Sequence, residues 1–286
     1  MRIGFFSTFT PEYTLAQSCA LARELGYEGI QPRVAPGKAF DESRPPNPWG
    51  NNRGTIPEAD FLDDPVAALQ PVADAGLEVT SLPSYCTVAE MDRAVALLRA
   101  CGRAGVRRLR MGPMPLPPGV PVMDIDGLVE ESRRRYRRLL RTARPAGVQM
   151  VIEIHMGSLV QNTAAVRRVV DGFDAEDLGV MYDPGNMVYE GHEPAAVSVG
   201  TLGPYLAEVH VKNSRWVCDA ARPLGQRWRC EAAPLDDGIA DWPGIVRTLR
   251  AADFSGWLIE EAHNPDIPTR ERLAANIRLL RNWLSG

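Results

Sequence analysis

The sequence of 286 residues contains no apolar run that approaches the roughly 20 residues of a membrane-spanning helix. Its five cysteines are an odd number, and none has the paired spacing of a disulfide framework or the neighbours of a zinc knot. The net charge of −4 gives no electrostatic basis for binding nucleic acid or an anionic membrane. The first residues also enter a predicted strand directly. We therefore expect an unprocessed, soluble, cytoplasmic protein with reduced thiols.

A basic run at residues 133–141, RRRYRRLLR, departs locally from this charge balance. Within it, Tyr136, Leu139 and Leu140 fall at helical spacing and form one apolar face. Such a face packs against a core while the arginines remain in water. The run therefore predicts an outer helix and not a surface that binds nucleic acid.

Short apolar runs alternate with segments whose apolar residues recur at helical spacing. A strand, a helix and a second strand within about 30 residues form a βαβ unit, and this unit repeats along the chain without a linker. We therefore predict the α/β class, with one closed (β/α)8 TIM barrel as a single domain over residues 1–286. The long helix at 127–144 should end before Pro145. The predicted strands are 2–6, 27–32, 78–82, 106–111, 150–154, 178–182, 206–211 and 256–261.

Two long connections interrupt the alternation after the second and seventh strands. The first, residues 34–64, is rich in Pro, Gly and Asn and carries Trp49, and the second, residues 213–240, carries Trp216 and Trp228. Loops this long are usually functional or disordered. Because the carboxyl ends of barrel strands hold the sites of barrel enzymes, we favour a lid over a mobile insertion for the first connection. The tryptophans either wall a pocket or bury the loops against the barrel.

Acidic and histidine side chains mark the ends of four predicted strands. Glu153 and Asp183 end the fifth and sixth, His210 lies in the seventh, and Glu260 and Glu261 end the eighth. A carboxylate in such a place must be paired, hydrogen-bonded or metal-bound, because its ionised form is costly away from water. The carboxyl ends of barrel strands meet on one face, so these groups form an oxygen-rich set suited to one metal ion. The period of two decides only weakly between Glu260 and Glu261.

Each of these residues also has a purely structural interpretation. Glu153 can form a buried ion pair with an arginine, and His210 can be a hydrogen-bonded core histidine. Asp183 precedes Pro184 and Gly185, and Asp-Pro-Gly is a favoured turn. We prefer the metal site because four strand ends carry suitable groups at once.

The chain resembles the xylose isomerase-like superfamily, which includes sugar phosphate isomerases and epimerases, inosose dehydratases and apurinic-site endonucleases. The likeness spans nearly the whole chain and rests on RIGFFS, ELGYEGI, GLEVTSL, GVQMVIEIH, GVMYDPGN, VHVKN and DDGIADWPGIVRTLRAADFSGWLIEE. It implies that one divalent metal ion is bound by Glu153, Asp183, His210 and Glu261. The family places its last glutamate five residues after a glycine, here Gly256, which selects Glu261. Manganese is the expected ion, with magnesium, cobalt, zinc or iron(II) as alternatives.

Two positions depart from the pattern of this family. Gln31 stands at the end of the second strand, where relatives often have glutamate. The third strand ends in SLPSY, without the histidine that many relatives have. Because these positions touch substrate or a second metal in relatives, the departures leave the substrate open.

The resemblance implies an isomerase or epimerase of a small sugar, keto-sugar or polyol-like molecule. A divalent ion polarises a carbonyl and stabilises the enediolate that forms when the neighbouring proton leaves. In related epimerases the two metal-bound glutamates move this proton, so Glu153 and Glu261 are the expected bases. The expected substrate contacts are His155, Asn186, Lys212, Arg215 and Trp49.

Other functions compete with this one. A lyase of the inosose dehydratase type would use the same metal and base, and only net loss of water separates it from an epimerase. A repair endonuclease of this fold assembles a three-metal cluster, against which the four histidines and the negative net charge argue. A degenerate barrel without a metal would be the partner subunit of another protein. Barrels of this family often associate, so we also expect a homo-oligomer.

Overall fold

The computed structural model describes residues 1–37, 40–264 and 266–286 of the chain. Lys38 and Ala39, which belong to the first predicted connection, lie outside the described residues. The strands, in chain order, are β1 (Arg2–Phe6), β2 (Gly29–Gln31), β3 (Val34–Ala35), β4 (Ile56–Pro57), β5 (Glu78–Val79), β6 (Leu82–Thr87), β7 (Arg108–Gly112), β8 (Gln149–Glu153), β9 (Leu178–Tyr182), β10 (Leu206–Val211), β11 (Asn213–Cys218), β12 (Trp228–Ala233) and β13 (Trp257–Glu260).

Nine of these strands form one parallel sheet, in the order β5-β2-β1-β13-β10-β9-β8-β7-β6, which closes nearly into a barrel. At the carboxyl ends, Glu153 of β8 pairs with Met181 of β9, and Val211 of β10 pairs with Glu260 of β13. Nearly every residue of β8, β9 and β10 is buried, as expected for strands that are covered on both faces. The predicted (β/α)8 barrel is confirmed.

The third barrel strand differs from the predicted span 78–82. This barrel strand consists of β5, which pairs with β2, and β6, which pairs with β7. The strand therefore continues to Thr87. The Thr80 amide still donates to the Ile30 carbonyl at 3.0 Å, and the strand changes its partner at Ser81. The predicted end was wrong because Pro83, which has no N–H for a ladder, weakens the strand signal there.

Helices cover the outside of the barrel and begin and end at residues that suit these positions. Thr14 and Gln17 form a capping box at the start of the first helix, and Gly26 ends it with a φ of 84°. The helices, in chain order, are α1 (Leu15–Leu25), α2 (Glu58–Asp63), α3 (Pro65–Asp74), α4 (Met91–Arg103), α5 (Ile125–Ala146), α6 (Thr163–Val170), α7 (Pro184–Glu190), α8 (Ala195–Leu202), α9 (Trp242–Ala251) and α10 (Thr269–Ser285).

Helix α5 runs past the predicted stop at Pro145. The proline lies in the last turn, and the helix ends at Gly147, whose amide bonds to the carbonyls of Ala143 and Arg144. The left-handed conformation of this glycine, with a φ of 67°, closes the helix. The prediction was wrong because a proline so near the end removes only one of the last backbone hydrogen bonds.

The basic run lies on the outer face of α5, as predicted. Tyr136 and Leu139 are fully buried, and the Tyr136 hydroxyl donates to the Met111 carbonyl at 2.7 Å. Leu140, the third apolar residue of the predicted face, is half-buried. Across the described parts of the chain, no helix combines the length and the apolar character that crossing a membrane requires.

Both predicted connections follow the second and seventh barrel strands and contain regular elements. The first holds β3, β4 and α2. The second is an antiparallel hairpin in which β11 pairs with β12, rather than an irregular loop. Asn213 closes the base of this hairpin by donating to the carbonyls of Leu235 and Ala240 at 2.9 and 3.0 Å. The close packing at this base requires glycine at position 238, because a Cβ there would lie 2.2 Å from the Asn213 side chain.

Candidate metal centre

Four neighbouring strands of the sheet each bring one polar side chain to the mouth of the barrel. Parallel strands place their carboxyl ends side by side, so residues far apart in sequence meet there. All four side chains are buried, and each offers one ligand atom within 4.8 Å of those of the others. We call this set the carboxylate cluster, and its members are Glu153 at the end of β8, Asp183 after β9, His210 in β10 and Glu261 after β13.

His210 lies between the three carboxylates. Its Nδ1 is 2.6 Å from Glu261 Oε2 and 3.0 Å from Glu153 Oε1. The same atom is 3.7 Å from Asp183 Oδ2, and the ring stacks on Phe6 at a centroid distance of 6.2 Å. Burial disfavours a charged imidazole, but the carboxylates, led by Glu261, outweigh it and hold the pKa of His210 well above its usual value.

Glu260 and Glu261 point to opposite sides of the barrel wall. The Glu261 amide continues the ladder by donating to the Val211 carbonyl at 2.9 Å, and its side chain reaches the carboxylate cluster. Glu260 faces α10, where its Oε1 accepts a hydrogen bond from Asn276 at 2.6 Å and lies 3.4 Å from Arg272. The alternation along the strand thus brings Glu261, not Glu260, to the mouth.

The Asp-Pro-Gly-Asn segment after β9 begins helix α7 and is not only a turn. Asp183 caps this helix, since its Oδ1 accepts a hydrogen bond from the Asn186 amide at 2.8 Å. Pro184 takes a first-turn position, where its fixed φ and missing N–H are favourable. Gly185 lets the helix approach β10, because a Cβ on it would be 2.5 Å from Lys212 Cγ. This local sequence leaves Asp183 Oδ2 facing the cluster.

Two cations pair with these carboxylates. Arg110, near the end of β7, donates to Glu153 Oε2, while Lys212 Nζ lies 2.9 Å from Asp183 Oδ2 and 3.2 Å from Glu261 Oε2. Burial alone would raise the pKa of both glutamates. Arg110 together with His210 outweighs burial at Glu153, and Lys212 together with His210 outweighs it at Glu261, so both pKa values are lowered, that of Glu153 strongly. Both glutamates are therefore held ionised, as metal ligands must be.

The carboxylate cluster has the donor set of a mononuclear site. Three carboxylates and one imidazole are the ligands that manganese, magnesium, cobalt or zinc ions accept in proteins. A buried cluster of this composition could hold a metal ion. The pairing of Glu153 with Arg110 also agrees with a structural ion pair, but such a pair does not require two further carboxylates around one histidine.

A cavity of about 630 Å³ opens beside the cluster at the carboxyl ends of the strands. Its size suits a small molecule. Glu153 and Glu261 of the cluster line it, together with polar and apolar residues from the barrel loops. These further residues include Trp49, Tyr85, Arg110, Met114, Leu116 and His155.

Comparison with known proteins identifies the family. Residues 19–283 match the model of the family described as xylose isomerase-like TIM barrel. The chain belongs to this family. The inosose dehydratase of Bacillus thuringiensis (strain Al Hakam) is 28% identical to this xylose isomerase-like chain over 128 residues, which cover 43% of each protein. The chain therefore matches less than half the length of this curated relative.

Solved structures share the whole xylose isomerase-like fold at low identity. The IOLI protein with a bound zinc atom has a TM-score of 0.73 and 15% identity, covering 100% of this chain and 98% of that one. The apo form of 3-keto-D-glucoside 4-epimerase from E. coli has a TM-score of 0.68 and 16% identity, covering 99% of each chain. At these identities the likeness shows the fold alone.

Three of the predicted substrate contacts lie at this xylose isomerase-like site. Lys212 pairs with Asp183 and Glu261 of the carboxylate cluster. His155 lines the cavity, and its Nδ1 is 2.7 Å from the Met156 carbonyl oxygen. Trp49, which is 54% exposed, reaches the cavity from the first connection and packs edge-on against Phe9 at a centroid distance of 5.4 Å.

The other two predicted substrate contacts do not line the cavity. Asn186 is fully buried behind the carboxylates, where its Nδ2 donates to Asp183 Oδ2 at 2.7 Å and to the Ile154 carbonyl at 3.1 Å. Its place in the first turn of α7 turns it toward the protein, so it orients a carboxylate instead of facing the cavity. Arg215 lies on the hairpin, and its Nη1 is 2.8 Å from Asp237 Oδ2. The hairpin, which the prediction of an irregular loop did not include, leaves Arg215 outside the cavity lining.

The two tryptophans of the second connection do not line the cavity. Trp216 ties the hairpin to α7, because its Nε1 donates to the Val188 carbonyl at 3.0 Å. Trp228 is 63% exposed. Of the three tryptophans singled out in the sequence, Trp49 is therefore the one that reaches the site.

Sequence reasoning missed two residues of the site, Arg110 and Tyr85. An arginine near the end of a buried strand was a usable signal, since its charge needs a partner there. Tyr85 has a φ of 53°, which is rare for a residue other than glycine. Its ring lies 4.8 Å from the guanidinium of Arg110 and 5.3 Å from that of Arg33. Tyr85 was overlooked because the third strand was predicted to end before it.

Proposed function

We propose that this chain is a divalent-metal-dependent isomerase or epimerase of a sugar, keto-sugar or polyol-like substrate. The observation that carries the proposal is the carboxylate cluster, whose four ligand atoms lie within 4.8 Å of one another beside a cavity of about 630 Å³. A carbohydrate-like substrate is supported by the names of an inosose dehydratase and a 3-keto-D-glucoside 4-epimerase among the similar proteins.

The proposed ligands are the members of the carboxylate cluster, Glu153, Asp183, His210 and Glu261. Manganese is our first choice of ion for this oxygen-rich set, with magnesium, cobalt, zinc or iron(II) as alternatives. When bound, such an ion polarises a carbonyl and stabilises the negative charge that develops as the neighbouring proton leaves. The proton itself is moved by groups of the protein.

Glu153 and Glu261 are the proposed bases. They come from β8 and from the end of β13, which lie on either side of β9 and β10 in the sheet. One carboxylate removes a proton from one face of the substrate carbon. The other, after it takes up a proton from solvent, delivers that proton to the opposite face, which inverts the stereocentre. Arg110 and Lys212 hold the two glutamates ionised and so able to accept a proton.

The carboxylate cluster and the cavity beside it offer further groups to the substrate. Lys212 is placed to stabilise a developing alkoxide, because its ammonium lies among the cluster carboxylates. His155 can bond a hydroxyl group, and Trp49 offers an apolar face against which a sugar ring packs. We propose these three residues as substrate contacts, with Tyr85 and Arg110 as further candidates from the cavity wall.

A dehydratase is the second candidate, because the matching curated relatives include an inosose dehydratase. In this reaction a glutamate removes the same proton, but the proton is not returned to carbon. A hydroxyl group on the next carbon accepts a proton and leaves as water. The same metal ligands serve both reactions.

An assay in heavy water separates the two candidates. Keto-sugars and ketones derived from polyols are incubated with the manganese-loaded protein and followed by NMR and mass spectrometry. An epimerase incorporates deuterium next to the carbonyl without loss of water, whereas a dehydratase yields a product lighter by one water molecule. Glu153→Gln is the control and should do neither. Absence of both reactions across the panel, with metal bound, contradicts the proposal.

We further propose that residues 1–286 form one domain, in a cytoplasmic homo-oligomer. Light scattering after size-exclusion chromatography should give a mass that is a multiple of the 31.4 kDa chain. Unfolding should be a single cooperative transition. A monomer, or two separate transitions, would contradict this part of the proposal.

A further inference from the structure

A chain of buried hydrogen bonds leads from His210 into the barrel. His210 Nε2 lies 3.1 Å from Gln31 Oε1, and Gln31 Nε2 donates to Ser81 Oγ at 2.8 Å. Ser81 Oγ donates in turn to Glu208 Oε2 at 2.6 Å, and Glu208 pairs with Arg108 at 3.4 Å. His210 is fully buried, and so are Gln31, Ser81 and Glu208. We call Gln31, Ser81 and Glu208 the interior relay.

The interior relay crosses the barrel instead of following its wall. Gln31 ends β2 and Ser81 lies between β5 and β6, whereas Glu208 and His210 both belong to β10. Two strands, β1 and β13, separate β2 from β10 in the sheet. Glu208 and His210 face the interior together because they are two residues apart in one strand. A carboxylate so deeply buried is costly, so its retention calls for a role.

Hydrogen-bond chemistry fixes which atom donates at each step of the interior relay. The Ser81 hydroxyl has a single proton, which it donates to Glu208 Oε2. Ser81 Oγ must then accept from Gln31, which turns the amide nitrogen of Gln31 toward Ser81 and its oxygen toward His210. Because Gln31 Oε1 accepts, the proton of His210 resides on Nε2.

We propose that the interior relay fixes the tautomer of His210 and so directs its Nδ1 lone pair at the metal ion. Gln31, Ser81 and Glu208 are thus positioning residues of the metal centre, although Ser81 and Glu208 act only through Gln31. The inference rests on the proposed metal-binding function of the carboxylate cluster. Removal of a hydrogen-bond partner of a ligating histidine commonly weakens metal affinity by about 10–100-fold.

Metal affinity provides the first test. Zinc binding to the full chain is measured by competition with a chromophoric chelator for wild type, Gln31→Leu, Ser81→Ala and Glu208→Gln. Each variant should bind zinc about 10–100-fold more weakly. The double variant Gln31→Leu/Glu208→Gln should bind no more weakly than Gln31→Leu alone, because Glu208 acts through Gln31. Glu260→Gln, which alters an equally buried glutamate outside the relay, should bind zinc like wild type.

The histidine ring provides a second readout that general loss of structure would not mimic. In the zinc-loaded protein with isotope-labelled histidine, NMR should show a protonated Nε2 and a metal-bound Nδ1 for His210. In Ser81→Ala, which removes a single oxygen atom, the Nε2 proton should shift upfield and exchange faster with water, while the other backbone signals stay in place.

Three results would overturn the inference. They are wild-type zinc affinity in Ser81→Ala and Glu208→Gln, additive losses in the double variant, and metal bound through His210 Nε2. If wild type binds no zinc, the proposed function fails. The relay is then judged in the metal-free protein, where loss of the Nε2 proton signal in Glu208→Gln supports it and an unchanged signal refutes it.

Discussion

Among the described residues, four glutamates are buried, two at the mouth of the barrel and two away from it. Glu153 and Glu261 lie at the mouth beside the cavity, whereas Glu208 lies in the interior and Glu260 in the wall against α10. Burial disfavours the charge on all four. At the mouth, neighbouring cations outweigh burial and lower both pKa values. Away from the mouth, burial prevails and raises the pKa of Glu208 and Glu260.

Burial alone therefore does not distinguish a glutamate of a functional site from one that only stabilises the fold. Glu260 is bonded to Asn276 at 2.6 Å and joins β13 to α10, so its role is to hold two elements together. The mouth glutamates instead share His210 Nδ1 with each other and face a cavity. A buried acid points to function when several acids converge on one atom beside open space.

Replacement of a mouth glutamate should have the largest effect. Glu261→Gln removes a charged ligand and a proposed base, so we expect kcat to fall by about 10²–10⁴-fold. Metal affinity should fall as well, measured by chelator competition. The matched control is Glu260→Gln, the adjacent residue on the opposite face, which should retain the metal affinity and KM of wild type. Equal losses in both variants would contradict the division between mouth and wall.

Glu260→Gln should instead reduce the free energy of unfolding. The change breaks a buried ion pair with Arg272, and such a loss costs about 3 kcal/mol. Urea denaturation of the metal-free protein measures it. The control is Glu42→Gln, which breaks an exposed pair with Arg53 and should cost less than about 1 kcal/mol. A Glu260→Gln variant as stable as wild type would show that this glutamate does not hold the wall.

The same contrast between cavity and surface applies to two tryptophans of the long connections, Trp49 and Trp228. Trp49→Ala removes a side chain that lines the cavity, so we expect KM to rise roughly tenfold with little change in kcat. Trp228→Ala removes a side chain that is 63% exposed on the hairpin and should leave both constants unchanged. Steady-state kinetics with the substrate that the heavy-water assay identifies measures both constants. If Trp228→Ala changed KM as much as Trp49→Ala, the hairpin would have to close over the site.

Arg215→Ala should have the smallest effect. The side chain is paired with Asp237 and Glu231 on the hairpin and is partly exposed, so the change should alter stability by less than about 1 kcal/mol. Neither kcat nor KM should change. A large rise in KM for Arg215→Ala would instead support the prediction that this arginine binds substrate.

The sequence predicted those features of the structure that follow from one local rule. Apolar runs separated by amphipathic helices led to the barrel, and acids at strand ends led to the mouth. Such local rules fail where one segment pairs with one neighbouring strand and then with another, or where one side chain has two roles. Ser81 lies where the third strand leaves β2 for β7, and no local signal marks such a change. Asp183 serves both as a helix cap and in the cluster, although the Asp-Pro pair was a readable sign of a helix start.

Contacts between distant elements were the other limit. Gln31 was noted only as a departure from a family pattern, whereas its bonds to Ser81 and His210 depend on strands that face each other across the barrel. Arg110 could have been suspected from its position near a strand end, but its partner Glu153 lies on the neighbouring strand. The position of Arg215 on the hairpin was not foreseen, because spacing along the chain cannot show that β11 turns back and pairs with β12.

The metal content of the purified protein tests the central claim most directly. Elemental analysis of wild type, after reconstitution with manganese, should give about one divalent ion per chain. Glu153→Gln and His210→Ala should lose most of it, while Glu260→Gln should keep it. Wild type without metal after reconstitution, or Glu153→Gln and His210→Ala with undiminished metal, would contradict the assignment of the carboxylate cluster as a metal centre.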